Sequence, residues 1–256
     1  MYPRKPMILA IDIETAPHTV HVWGLHKQFV AINQIMETGR VMCFAWRWIN
    51  EKGQIYFLSE LDGRDVMLDK AHELLDEADI VVTYNGKKFD VPTLNKEFLE
   101  NGYSPPSPYK HVDLYRTARS QFRFASNKMD HLAKELGFKT KVRHSGHELW
   151  VKCMEGSEKA WAKMERYNKR DVLILEKLYD RMLPWIVGHP NVSLFTDGYM
   201  RLISCPSCGS SKMQSRGTCT TKSYVYKRFQ CSSCGSWGRE RLRDKTVPIP
   251  EVVGYA

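Results

Sequence analysis

Residues 7–18 read MILAIDIETAPH. Five apolar residues, Met7 to Ile11, run into Asp12, Ile13 and Glu14, and there the apolar stretch stops. A run of this length suits a strand buried on both faces, so a strand is expected over 7–13. Asp12 and Glu14 are separated by one residue, and alternate strand residues share a face. Two like charges on one face repel and raise each other's pKa. A cation between them would relieve that repulsion, and so would water at a solvated strand end. The fragment alone leaves both readings open.

The flanking sequence supplies the layers that such a strand needs. Residues 40–49 (RVMCFAWRWI) and 53–58 (GQIYFL) read as two more strands, turned at Asn50-Glu51-Lys52-Gly53. Val66, Leu68, Ala71, Leu74 and Leu75 give residues 64–77 a helical period. A strand follows at 79–85 (DIVVTYN), and then a helix over 88–101 with Pro92 in its first turn and Asn101-Gly102 closing it. A short strand at 111–115, helices over 114–121 and 128–137, and a long helix from Glu158 to Met182, stopped by Pro184, complete the pattern. Three strands first, then strands alternating with helices, predict an α/β layered domain on a mixed sheet.

The 256 residues are 43% hydrophobic and 26% charged, a globular composition. The longest apolar runs, such as Ile80-Val81-Val82, are far too short to span a bilayer. The opening MYPRKPMILAIDIE meets an acid after five apolar positions, unlike a secretory signal. An intracellular protein without membrane association is expected, cytoplasmic or nucleoid-associated, or in the host cytoplasm if viral. The formal charge is +9, and residues 190–256 hold ten Lys/Arg against four Asp/Glu. A basic C-terminal third points to a polyanionic partner or to a solubilising surface.

Two further segments carry chemistry-bearing residues. In TYNGKKFDVPTL, Asn85 closes a strand and Phe89-Asp90 opens a helix, where Asp90 could equally serve as a cap. In MERYNKRDVLILEKLYDRM, Tyr167 and Asp171 lie four apart, on one helical face and about 6 Å from each other. Arg166, Lys169 and Arg170 surround Asp171 and could simply pair with it.

Taken in order, Asp-x-Glu, Asn-x-x-x-Phe-Asp and Tyr-x-x-x-Asp resemble the three motifs of the DEDD 3′–5′ exonucleases, a DnaQ-like group with a ribonuclease H-like fold. Tyr167 resembles the DEDDy branch; the DEDDh branch places His at the position held here by Arg166. The Asn-x-x-x-Phe-Asp form is most similar to the proofreading domain of family B DNA polymerases. The resemblance covers roughly residues 5–186. It implies a ribonuclease H-like mixed five-stranded sheet flanked by helices, and a free-standing exonuclease. It further implies that Asp12, Glu14, Asp90 and Asp171 converge on two Mg²⁺ or Mn²⁺ ions. Tyr167 would orient the attacking water, since a phenol near its ordinary pKa of about 10 is a poor base at neutral pH. Asn85 and Phe89 would lie beside the terminal nucleotide, although Phe89 could equally pack in the core. Lys141 and Arg143 are candidate phosphate contacts. The stretch HTVHVWGLHKQFVAINQ (18–34) is expected to cover the core as a flap, with some rings near the 3′ end. His144 and His147 are read as loop residues before the last helix.

The C-terminal segment has a stronger local signature. Of seven cysteines, four form two Cys-x-x-Cys pairs, Cys205 with Cys208 and Cys231 with Cys234, each followed by glycine. Twenty-two residues separate the pairs. Two such knuckles resemble a zinc ribbon, with four thiolates around one structural Zn²⁺ and N–H groups turned towards sulfur. Two disulfides or a redox pair are the alternatives, and Cys219 reads as a spare thiol. Basic residues interleave with Tyr224, Tyr226, Phe229 and Trp237, a pattern suited to single-stranded nucleic acid unless the rings fill the ribbon's small core.

The expected organisation is an exonuclease domain over 1–188, a linker over 189–203, a zinc ribbon over 204–245 and a tail over 246–256. The expected substrate is nucleic acid, DNA before RNA. A monomer is expected, with replication or repair proteins as possible partners. A non-catalytic nucleic-acid-binding protein and a ribonuclease H-like endonuclease are the competing readings.

Overall fold

A computed structural model describes residues 5–49, 51, 53–138, 146–195, 203–221, 223–242 and 244–247. Two compact units divide the chain between Tyr179 and Asp180, the first being Met7–Tyr179.

In the first unit the opening stretch is strand β1, Ile8–Thr15, and it carries both Asp12 and Glu14 within the strand. The chain then passes through a small ladder of β2 (Thr19–Val20) and β3 (Ile35–Glu37), β4 (Val41–Trp48) and β5 (Tyr56–Ser59). Helix α1 (Arg64–Glu77) leads to β6 (Ile80–Thr83), and α2 (Asp90–Glu100) leads to β7 (Lys110–Asp113). Helices α3 (Leu114–Gln121), α4 (Met129–Glu135), α5 (His147–Met154) and α6 (Glu158–Met182) follow. The sheet order is β5-β4-β1-β6-β7, with β1 antiparallel to β4 and parallel to β6. This is the mixed five-stranded sheet that the resemblance implies.

β1 is thus the middle strand, and its side chains alternate between two apolar layers. Leu9, Ile11 and Ile13 pack with Met67, Leu68, Leu74 and Leu75 of α1 and with Leu94 and Phe98 of α2. Asp12 faces the other side, where Asn168 of α6 reaches it. There Met42 and Cys43 of β4 pack with Leu149 and Cys153 of α5 and with Trp161, Met164 and Tyr167 of α6. Eight-residue α5 buries only this Leu149–Cys153 pair, one turn apart. It overturns the loop expected at His147, which instead opens the helix; His144, Lys141 and Arg143 lie outside the described residues, as do Asn50 and Lys52 of the expected turn.

A half-buried ion pair ties the first layer together. Glu97 of α2, almost wholly enclosed, accepts from the Val41 N–H at 2.8 Å and from the guanidinium of Arg64, the first residue of α1. One carboxylate therefore fixes the starts of β4 and α1 against α2.

The expected flap over the core is not one. Trp23, Leu25, Phe29 and Ile32 stand almost fully in solvent. Helices already fill both faces of the sheet, so the arch from β2 to β3 has no core left to cover. It is held at its base by the β2–β3 pairing and by Gln34, which bonds to His21 and Ala31.

The second unit carries an antiparallel sheet of β8 (Met213–Thr220), β9 (Val225–Cys231) and β10 (Trp237–Arg239), with β9 in the middle. Phe229 is its buried ring, while Tyr224 and Trp237 are exposed. Arg239 lies 4.0 Å over Tyr226, and Arg228 lies 4.8 Å over Trp237. No helix among the described residues is long and apolar enough to cross a membrane.

Candidate functional site

The middle strand carries both acids in a regular stretch of its ladder. The β1–β4 register runs regularly to Glu14 opposite Cys43 and slips before Thr15. The extra residue there is Met42 of β4, so the bulge belongs to the partner strand and falls just past the acids. Oxygens of Asp12, Glu14 and Asp171 lie within 4.8 Å of one another, a group that could hold a metal ion. Asp171 is brought there by α6, and Tyr167, one turn earlier, hydrogen-bonds its carboxylate. Burial, then the charges of Asp171, Glu14 and Asp12, raise the Tyr167 hydroxyl far above its ordinary value. So held, the hydroxyl keeps its proton and donates it to Asp171.

Asp90 reaches the same cleft from the first turn of α2. It is buried, and the Ile13 N–H donates to it at 3.4 Å. Phe89, not Asp90, occupies the cap position, and it caps nothing with its side chain. Asp90 stands apart from the three-acid cluster. Burial pushes its carboxyl up to about 7, with its own N–H and that of Ile13 pulling the other way.

These residues line a cleft of about 890 Å³. Asp12, Glu14, Asn85, Phe89, Asp90, Tyr167 and Asp171 all border it. Phe89 is 44% exposed, which removes it from the core. Asn85 sits beyond the end of β6 with φ of 69°, a left-handed conformation that Asn tolerates better than most residues. Its N–H donates to Asp113 at 2.9 Å.

Sequence reasoning missed Asn168. This side chain is fully buried, and its Nδ2 donates to the Asp12 carboxylate at 2.8 Å and to the Asp12 carbonyl at 3.1 Å. It also missed Tyr84, which borders the cleft and donates to the Asn127 carbonyl at 2.6 Å, and Tyr115, which meets the Tyr84 ring edge-on.

In the second unit the four cysteines meet. Cys205 Sγ lies 3.6 Å from Cys234 Sγ, and Cys208 Sγ lies 3.7 Å from Cys231 Sγ. A disulfide would require about 2.05 Å. A tetrahedron with Zn–S bonds of about 2.3 Å has edges of about 3.8 Å, so the donor set fits a closed zinc site. Burial pushes the Cys205 and Cys208 thiols up. Burial also opposes ionisation of Cys231, but the N–H groups of Cys234 and Ser233, with the neighbouring thiols, bring it down to about 6. The glycines act less directly than the sequence suggests. Gly209 and Gly235, at φ of 72° and 82°, donate to the Cys205 and Cys231 carbonyls. Those turns leave the N–H groups of Ser207, Cys208, Ser233 and Cys234 to approach sulfur.

Comparison with curated protein sequences finds no match. Among solved structures, the chain is similar to a family B DNA polymerase from the hyperthermophilic archaeon Pyrobaculum calidifontis. The TM-score is 0.52 at 19% identity, over 72% of this chain and 25% of that one, so the chain spans about a quarter of the polymerase. At that identity the likeness is one of fold. The sequence model of the RNase H superfamily matches residues 35–183, more than half of the sequence and every strand and helix from β3 to α6. With its mixed sheet and acidic cleft, this chain belongs to the RNase H superfamily.

Proposed function

We propose that this protein is a metal-dependent 3′–5′ exonuclease that hydrolyses nucleic acid, single-stranded DNA first, and releases nucleoside monophosphates. Its superfamily fits a nuclease. The observation that carries the finer reading is the meeting of Asp12, Glu14 and Asp171 within 4.8 Å, with Tyr167 bonded to Asp171 and Asp90 in the same cleft. Hard carboxylate oxygens suit Mg²⁺ or Mn²⁺. A pair of such ions would supply an activated water and stabilise the departing 3′ oxygen.

The chain's own groups would do the rest. Asn168 holds Asp12 in one orientation. Tyr167, kept protonated by its surroundings and donating to Asp171, would accept a hydrogen bond from the attacking water and so orient it. Asp90 would complete the acidic set from the α2 side. Phe89, exposed at the rim, would pack on the terminal base, with Asn85 beside it. We assign this chemistry to residues 1–188 and nucleic-acid grip to a zinc-holding ribbon at 204–245, joined by 189–203. The fit of the four sulfurs to a zinc tetrahedron supports the second assignment.

The test is digestion of end-labelled strands by wild type and Asp12→Ala. Magnesium-dependent release of mononucleotides from a free 3′-OH is expected of the wild type. A folded Asp12→Ala protein should lose about a hundred- to a thousandfold in turnover, the range typical when a reaction's electrostatic support is removed. Near wild-type turnover by that variant would refute the two-metal reading. Cuts in a covalently closed circular strand would replace the exonuclease with an endonuclease.

A further inference from the structure

Beside the acidic cleft lies a second one, of about 620 Å³, and the two share Asn85, Lys88 and Tyr115 as lining residues. They form one trough whose ends differ in charge. Asp12, Glu14, Asp90 and Asp171 line one end. Lys87, Lys88, Arg116 and Arg119 line the other, against a single carboxylate, Asp113.

Asp113 is occupied in building that end. It is buried, and it accepts from the N–H groups of Asn85 at 2.9 Å, Lys87 at 3.2 Å, Tyr115 at 3.0 Å and Arg116 at 3.4 Å. One acid thus staples the turn after β6 to the start of α3 and fixes the spacing of the cations carried on each. Arg116 and Arg119 are three apart on α3 and so share a face. All four cationic side chains are exposed, and among the described residues none forms an ion pair. Four cations gathered along one cleft give it a positive potential that draws in an anion.

We infer that the Lys87–Arg119 end of the trough is a binding track for backbone phosphodiesters of the substrate strand, on the 5′ side of the bond placed over the acidic cluster. The inference rests on the exonuclease reading for its polarity. The cations act on phosphates and contact no base edge, so the track is indifferent to sequence. A strand whose 3′ end lies at the carboxylates runs from negative to positive protein surface. The substrate is therefore held by phosphates remote from the reaction while its last phosphodiester is delivered to the carboxylates. Recognition of this kind grows with strand length.

The experiment compares wild type with Arg116→Ala/Arg119→Ala and with Arg116→Lys/Arg119→Lys. Fluorescence anisotropy with a labelled 12-nucleotide oligothymidylate, in buffer without Mg²⁺ or Mn²⁺, reads binding without turnover. The alanine pair should raise Kd at least about tenfold and flatten the salt slope by about 1.4, two single-strand phosphate contacts at about 0.7 each. The lysine pair should recover most of both. In hydrolysis assays with Mg²⁺, the alanine pair should raise KM far more for the 12-mer than for a dinucleotide. An unchanged Kd and salt slope would overturn the inference. So would full competition by thymidine 5′-monophosphate at the oligomer's own concentration, which would make the pocket a product site. Absence of hydrolysis by the wild type would overturn the exonuclease reading instead, and the anisotropy would still decide the track.

Discussion

Asp12 is the residue on which the site turns, and its partner Asn168 lies 156 positions away in the chain. Nothing in the local sequence marks Asn168, a polar residue inside a helix flanked by Tyr167 and Lys169. Its two bonds to Asp12 fix both the carboxylate and the backbone beneath it. Loss of a group that orients a metal-ligating side chain commonly costs about 10–100-fold in metal affinity or activity. Asn168→Ala should therefore weaken Mn²⁺ binding by about that factor, measured by calorimetry, and lower turnover at limiting metal. Saturating metal should restore part of the turnover if the role is positioning. Equal turnover and Mn²⁺ affinity in the variant would leave Asn168 a purely structural residue.

At the level of elements, the turn from β6 to α2 is the tightest passage near the cleft. A Cβ on Gly86 would stand 2.3 Å from Thr83 Oγ1. Thr83 cannot step aside, because it is fully buried and its hydroxyl pairs with His111 Nε2 at 2.8 Å. Overpacking of this kind costs about 1–3 kcal/mol. Gly86→Ala should lower the thermal midpoint by several degrees and displace Asn85 and Phe89, raising KM for oligonucleotides. An unchanged midpoint would show that the turn can relax. The same elements show what the sequence makes legible. Helices α1 and α6 stand out because each repeats its apolar period over several turns. Asp12, Glu14, Asp90, Tyr167 and Asp171 stand out only as an ordered set. Helix α5 is hidden because two buried residues make too short a period. The solvent-facing arch is hidden too, since rings such as Trp23 and Phe29 ordinarily signal a core, and only the filled sheet faces deny them one.

On the scale of the whole molecule, the lining of the acidic cleft and the two apolar layers beneath it fall within Met7–Tyr179. The four cysteines fall outside it. Residues 1–188 alone should therefore keep metal-dependent cleavage, while the full chain should carry one zinc and bind long strands more tightly. Zinc content, affinity across a salt series and turnover at saturating substrate test this on both chains. An unchanged salt slope would move the ribbon's role from nucleic acid to a protein partner. Lost turnover in a well-folded short chain would mean that the ribbon contributes to catalysis.

The solvent-facing arch between β2 and β3 has one more consequence. Trp23, Leu25 and Phe29 offer aromatic and leucyl peptide bonds to chymotrypsin at a point where few contacts hold the backbone. The strand upstream is the centre of the sheet, hydrogen-bonded to β4 along most of its length and to β6 at its start. A single nick in the arch should therefore yield two peptides that elute together on gel filtration and part only in denaturant. The short N-terminal peptide carries Asp12 and Glu14, so mixing it with the separately produced remainder should regenerate the acidic cluster from two halves. Such a split protein would report strand insertion directly, through the return of metal binding.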